Sequence, residues 1–341
     1  MKRSCRLIFL AFLLLFSLSR GLVAGELEPL KAFNLHPLYI PFIQLLPQPA
    51  ATLSSGGFGI SILESYGNNF FIDPEDGGSS DVDADLDSEA SYTGISFKYG
   101  LTPRIELDAL LYSIYHFGGI MDPLISSYHG LFGFPNGGRE LRDEGLLRFY
   151  LKNKTGTVLD EDDKVTAYTA GSFELRYAVL KHIHAAGGNW DLSGGMILKF
   201  PITRSDYPIE DGGLDGGLRI YAGYCRNRIL LAGSTGFILL SSPEYLSEEF
   251  FIPWIIPFDL SAVYPCTDRL DLQLTIQGST SPFDLGYYRT DRFTAVINIG
   301  ASVHTDGYGD FAFSFTEEFF TFAATDIGLH FGWNKNFPSG N

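Results

Sequence analysis

The 341-residue chain is 45% hydrophobic, 15% aromatic and only 19% charged, with 38 Gly and 3 Cys. That composition excludes a disordered protein, and a formal net charge of −16 argues against a nucleic-acid partner. Charge below the roughly 25% of soluble domains, beside abundant aromatics, implies apolar surface that a single ordinary core does not use up.

Residues 1–24 carry Lys2, Arg3 and Arg6, then the apolar run Leu7 to Leu18, then small residues at Ala24 and Gly25. This is the order of a secretory signal peptide, and the run is too short to span a bilayer. Cleavage after Ala24 or Gly25 removes Cys5 and leaves 20 basic against 40 acidic residues. Residues 25–50 follow, Pro-rich and partly apolar, expected on the periplasmic side, where they plug or line a mouth or merely connect.

From about residue 57 onward a period of 2 recurs and the helical period is almost absent, which marks an all-β chain whose residues 51–333 form one domain. Alternating segments run in order: Phe58 to Glu64, Gly94 to Tyr99, Ile105 to Tyr112, Ser172 to Val179, Trp190 to Phe200, Gly217 to Tyr224, Arg228 to Leu240, Trp254 to Tyr264, Leu270 to Gln277, Phe293 to Gly300, Phe311 to Phe315 and Ile327 to Trp333. They make twelve strands, and residues 334–341 form a tail. The apolar faces often end in aromatics, such as Tyr99, Phe200, Tyr224, Tyr264, Phe320 and Trp333. The alternate faces carry Lys98, Glu106, Asp108, Glu174, Arg176, Lys199, Arg219, Asp259 and Asp271. Oily faces rimmed by aromatics, with charged opposite faces, fit lipid outside and a wet lumen inside.

Connection lengths agree. Short turns at Gly100 to Arg104, His182 to Gly188, Cys225 to Arg228, Pro265 to Arg269 and Thr305 to Gly309 alternate with long loops at Asn69 to Ser88, Gly118 to Lys164, Thr203 to Gly213, Ser241 to Ile252 and Ser279 to Thr290. Outer-membrane barrels alternate short periplasmic turns with longer external loops. The expected architecture is therefore a single closed antiparallel transmembrane β-barrel of twelve strands. Gly145 to Lys154 also reads as a strand, but counting it in the wall would reverse the alternation, so it belongs inside the second loop.

In that loop, Asp122-Pro123 followed by Leu124, Ile125, Tyr128, Leu131 and Phe132 allows a short helix. It either folds inward as a constriction or packs on the loop's own hairpin. Arg139, Arg142 and Arg148 read as ion-pairing groups. The acidic run Asp73 to Glu89 has oxygen ligands in number but not the spacing of a Ca²⁺ loop, and reads as a solvated loop facing outward.

Two motifs carry a family resemblance. Asn34-Leu35-His36-Pro37-Leu38, together with Tyr128-His129-Gly130-Leu131-Phe132-Gly133-Phe134-Pro135-Asn136-Gly137-Gly138-Arg139, resembles the bacterial outer-membrane family known as domain of unknown function 3187. Tyr128 and Phe134 stand where that pattern has another aromatic and a Leu. The resemblance points to His129, Pro135, Gly138 and Arg139 as the loop motif. It implies a barrel in a Gram-negative-type envelope and no settled activity.

Enzymatic signals are thin. Ser126, Ser127 and His129 lie together without a Gly-x-Ser-x-Gly elbow, and His182 and His184 lack further metal ligands in sequence. No cofactor or metal is expected, and the chain reads as a non-enzyme. Cys225 and Cys266 fall at periplasmic turns and form a possible disulfide, although two strand spacings, roughly 10 Å, separate their strands. The expected partners are the lipid bilayer, lipopolysaccharide and the barrel-assembly machinery, with oligomeric state open. The expected function is passage of small solutes through an outer-membrane channel constricted by residues 118–164. The alternative is a non-conducting, receptor-like barrel with acidic external loops, and a lipid-modifying hydrolase is a minor third.

Overall fold

The computed structural model describes residues 27–43, 45–73, 84–133, 138–153, 156–162, 166–203, 213–243, 248–285, 290–318 and 324–339. The expected signal peptide, the middle of the acidic run, Pro135 and Phe320 lie outside them. In chain order the elements are β1 (Phe58–Asp73), β2 (Ala84–Thr102), β3 (Ile105–Phe117), α1 (Asp122–Phe132), β4 (Arg148–Asn153), β5 (Gly156–Asp162), β6 (Thr166–Ala185), β7 (Gly188–Pro201), β8 (Asp215–Arg226), β9 (Ile229–Leu239), β10 (Trp254–Ile255), β11 (Pro257–Pro265), β12 (Leu270–Ser279), β13 (Thr294–Thr305), β14 (Gly309–Glu318) and β15 (Ile327–Phe337).

Twelve of these strands close a barrel, each antiparallel to its neighbours, with β1 paired to β15 on one side and β2 on the other. Every segment expected to cross the membrane is one of the twelve. Closure satisfies the backbone groups that lipid would leave unpaired. The remaining strands are accessory: β4 and β5 form a hairpin whose β4 pairs with Ala84–Asp87 of β2, and β10 pairs with the end of β9. The second loop therefore does hold an extra strand outside the wall.

Alternation sorts the two faces. Along β2, Phe97 and Tyr99 are exposed on the outside while Ser96 and Lys98 are buried inside. The turns between Ala185 and Gly188 and between Arg226 and Ile229 each have two residues at positive φ, Ala186 and Gly187 in one, Asn227 and Arg228 in the other. That is the tight hairpin geometry that matches strand twist, and it closes the short-turn end. No helix among the described residues is long and apolar enough to cross a membrane.

Candidate functional site: a barrel filled by the N-terminal segment

The lumen is not an open passage: a segment of the chain itself occupies much of it. Residues 27–53 enter at the short-turn end, run to the long-loop end, reverse over 36–43 and return. At the entry, Asn334 donates to Glu28 Oε2 at 3.1 Å and Lys31 Nζ to Ser61 Oγ at 2.7 Å. At the far end, the backbone N–H of Leu35 donates to Thr325 Oγ1 (2.5 Å) and that of Thr325 donates to Asn34 Oδ1 (2.9 Å). On the way back, Leu53 N–H donates to Glu106 Oε2 at 2.7 Å.

Five prolines between 29 and 49 keep this segment irregular, so its peptide groups need partners other than a ladder. Wall side chains provide them. Lys199 Nζ donates to Pro41 O (2.5 Å), Arg219 to Leu46 O (2.9 Å), Arg176 to Pro49 O (2.8 Å) and Lys181 Nζ to Thr52 O (2.8 Å). Asp215 accepts from Ile43 N–H at 2.8 Å, and Asp108 from the Gln48 amide at 3.0 Å.

The nine charged positions read from the alternating faces are all buried inside the barrel. Arg176 pairs with Glu106, Arg219 with Asp259 at 2.8 Å and Lys199 with Asp215 at 3.3 Å. Glu174 accepts from Tyr221, Asp271 meets His304 Nε2 at 2.7 Å, and Lys98 lines a cavity with Glu28 and Glu106. That cavity, about 440 Å³, lies at the short-turn end between the returning segment and the wall. Burial alone would raise the Glu28 carboxyl, but Lys31, Lys98 and Asn334 outweigh it and hold it below the usual carboxylate range.

The expectation of an open, wet lumen is thus corrected to one filled by the segment over much of its length with a charged cavity at the short-turn end, and part of the inner wall is apolar. Leu63, Tyr92, Leu110, Tyr112 and Tyr168 pack with Phe33, Leu35, Ile40 and Leu46 of the segment. Phe33 lies 4.1 Å from Tyr92 between ring centroids. Asp215 escaped the sequence reading, and so did the depth to which residues 27–53 enter the lumen, where a plug or lining of the mouth, or a mere connection, was expected.

Over the long-loop mouth a second apolar cluster joins Leu38, Tyr39, Phe42 and Ile43 to Phe149, Leu151 and Leu159 of the β4–β5 hairpin and to Phe251, Ile255, Phe283 and Leu285. The second loop therefore covers the mouth with its hairpin. Its helix goes elsewhere: Ile125 packs with Met121, Ile327, Tyr66 and Phe315, which point outward from the wall. The helix neither constricts the lumen nor packs on its own hairpin, because outward apolar positions are left uncovered there.

His36, at the reversal, is fully buried against Tyr39 and Phe71, with Nδ1 accepting from Leu38 N–H at 3.3 Å. Burial, with His116 nearby, holds its imidazole down to about 3. A released segment would have the ordinary value near 6.5. The docked state binds fewer protons, so docking is fully stable above pH 6.5 and weakens as pH falls from there toward 3. At pH 5 the expected loss is about 2 kcal/mol. Faster thiol modification at pH 5 than at pH 7, corrected for intrinsic thiol reactivity, of a buried cysteine introduced by Ala50→Cys checks it, and His36→Phe should flatten the difference.

The loop motif forms a separate node on the outer side. Arg139 donates to Asp122 Oδ1 and Asn68 Oδ1, each at 2.6 Å, pairs with Asp326, and lies 4.5 Å over the Phe70 ring. Asp122 also accepts from Gly145 N–H at 2.8 Å. Gly138 has φ 95°, a left-handed turn that starts the short 3₁₀ segment carrying Arg139, and His129 is buried on α1. Arg139→Ala should release the loop at a cost of about 2–3 kcal/mol by leaving buried carboxylates unpaired. Limited proteolysis within residues 118–145 should accelerate while the barrel keeps its heat-modifiable mobility.

Other expectations are corrected here. Asp85, Asp87 and Glu89 are not a solvated run: they lie in β2, buried under the loop, with Arg142 2.8 Å from Asp85 and Met121 N–H donating to Glu89 at 2.5 Å. Arg148 does pair with Asp160 and Asp162, both at 2.7 Å. Cys225 and Cys266 are free thiols rather than a disulfide, since β9 lies between β8 and β11 and two ladder steps of ~4.8 Å exceed the ~7 Å limit between Cα atoms. His182 turns to Asp191 at 3.3 Å and His184 to Asn189 at 3.3 Å, and no group of three or more metal-ligating side chains converges among the described residues. Ser127 is exposed and donates to Pro123 O (2.7 Å), whereas His129, two residues on, is buried on the helix's other side.

Among solved structures, the chain resembles the outer-membrane channel COG4313 from Pseudomonas putida F1, with a TM-score of 0.56 and 11% identity over 86% of this chain and 100% of that one. It also matches Salmonella typhi OmpF in complex with daunomycin (TM-score 0.33, 10% identity, 82% and 97% covered). A third match is outer membrane phospholipase A from Escherichia coli (TM-score 0.39, 10% identity, 82% and 93% covered). At these identities the likeness to the first is one of fold, that of an outer-membrane β-barrel. No curated protein matches the chain. The family pattern described as "Protein of unknown function (DUF3187)" spans residues 7–337, and the chain, with its filled twelve-stranded barrel and its Arg139 loop, belongs to that family.

Proposed function

We propose that this outer-membrane barrel is a channel for small solutes held shut by its own residues 27–53, and that withdrawal of this segment toward the periplasm opens it. The observation that carries the reading is the bonding between wall and segment. Arg176, Lys199 and Arg219 donate to segment carbonyls, and Glu106 and Asp215 accept from its N–H groups. These charges would line a hydrated path once the segment left, and water would take over their hydrogen bonds. Both limbs of the segment lie at the same mouth, so it can leave without threading. The 11% identical fold relative is described as a channel, which is compatible with this reading.

A second reading, a permanently closed barrel that binds partners outside, draws on the apolar cluster over the long-loop mouth. Planar-bilayer recording separates the two. The full chain should be largely silent with rare openings at pH 7, and a variant lacking residues 29–48 should conduct steadily. Silence of that variant, when heat-modifiable mobility shows it folded, overturns the channel reading.

A further inference from the structure

The outward side of β1–β3 changes character with height. Near the periplasmic end it is apolar and exposed, with Ile62, Ile95, Phe97, Tyr99, Leu107 and Leu111. Above these come Glu64, which accepts from Thr93 Oγ1 at 2.7 Å, and Ser113. Higher still are Asn68, Asp85, Asp87 and Glu89, all buried. Hydrocarbon does not solvate such groups. What covers the highest of them is the loop bearing α1, which is packed tightly: at Gly119 an added Cβ would meet the Glu89 carboxyl at 1.5 Å.

α1 thus lies against the barrel's outer wall rather than over its mouth. One side, with Met121, Ile125 and Tyr128, covers Tyr66, Phe315 and Ile327. On the flank of that side, about 100–120° round the helix from Ile125, Leu124 is 63% exposed and Leu131 79%, Phe132 in the last turn is 56% exposed, and Ile120 just before the helix is 84% exposed. Leu124 and Leu131, seven residues apart, fall on one helical stripe, and Ile120 precedes the helix. That stripe continues the exposed apolar band of the neighbouring strands, whose Phe313 and Phe331 face the same way. A patch of this kind in water would be unusual for a surface helix.

We infer that α1 is an interfacial anchor whose Ile120, Leu124, Leu131 and Phe132 contact the acyl chains of outer-leaflet lipid. The loop replaces, on its own outer side, the lipid-facing surface that β1–β3 give up where they turn polar. Arg139 and Glu89 fix it there, and the anchor is independent of whether the barrel conducts. A short helix with one apolar side and its axis along the interface is a known way of lying in a membrane boundary.

Spin labels test this in the full chain with Cys225→Ser and Cys266→Ser, reconstituted in dioleoylphosphatidylcholine vesicles. Labels introduced by Leu124→Cys or Leu131→Cys should collide severalfold more with oxygen than with a water-soluble nickel chelate, as should a lipid-facing control at Phe313→Cys. A control on the periplasmic turn, Asp306→Cys, should show the reverse. Access of the chelate to positions 124 and 131 overturns the proposal, and so does protection from both reagents, which would mean that protein, such as a second copy, covers them. With the unaltered chain, a lipid bearing a photoreactive group in its acyl chain should give adducts within residues 120–132. Adducts confined to the strands would equally overturn it.

Discussion

Arg176→Ala is expected to weaken docking of residues 27–53 by about 3–5 kcal/mol, the range seen when one partner of a buried ion pair is removed. Arg176 is almost wholly buried, its Nε donates to Glu106 at 3.1 Å, its second terminal nitrogen pairs with the same carboxylate, and its first donates to Pro49 O at 2.8 Å. Alanine removes all of these and leaves Glu106 inside, still accepting from the Leu53 N–H. The change in equilibrium corresponds to about 10²- to 10⁴-fold more exposure of the segment. Thiol modification of a cysteine introduced by Ala50→Cys reads it directly, and Arg176→Lys should fall between because it keeps charge but not the fork. An unchanged modification rate would mean that these bonds do not hold the segment.

Phe42→Ala acts at the opposite end with a similar size, about 3–5 kcal/mol for truncating a buried Phe. Its ring lies 5.8 Å from Phe251 and 6.1 Å from Phe283, within the apolar cluster that covers the long-loop mouth. The variant should raise the frequency of openings in planar bilayers with no loss of the folded, heat-modifiable form, since the rings it meets, Phe251 and Phe283, lie in loops outside the barrel strands. Phe42→Leu keeps most of the volume and should cost under about 1.5 kcal/mol. If Phe42→Ala and the native chain record alike, the cluster is not part of the closure.

The wall was readable because lipid outside and charge inside impose a strict period of 2. Leu270, Leu272, Leu274 and Ile276 against Asp271, Gln273, Thr275 and Gln277 need no tertiary knowledge. The filling was not readable by the same means. Residues 27–53 have no period, since several of their peptide groups, such as Pro41 O, Ile43 N–H, Leu46 O and Pro49 O, are matched to particular wall side chains, and such matches exist only once the barrel has closed. A signal was nevertheless present: Leu110 and Tyr112 fall on the polar side of the Ile105–Phe117 alternation, where a wet lumen has no use for them, and Phe33 and Tyr39 need a core that a mere connector would lack. The acids of β2 misled for a related reason. Asp85, Asp87 and Glu89 read as solvated charge, and only the fold of a loop more than thirty residues further on places Arg142 and the Met121 amide beside two of them.

The central claim is that residues 27–53 occupy the lumen, and disulfide trapping tests it most directly. A Cβ added at Gly223 on the inner wall would stand 3.5 Å from the Ala50 Cβ, within the span of a disulfide. In a chain with Cys225→Ser and Cys266→Ser, the pair Ala50→Cys and Gly223→Cys should close on mild oxidation in native outer membranes, protecting both thiols from alkylation until reductant is added. Two thiols that stay open to alkylation under the same oxidation, in a folded barrel, would show that the segment is not where the account puts it.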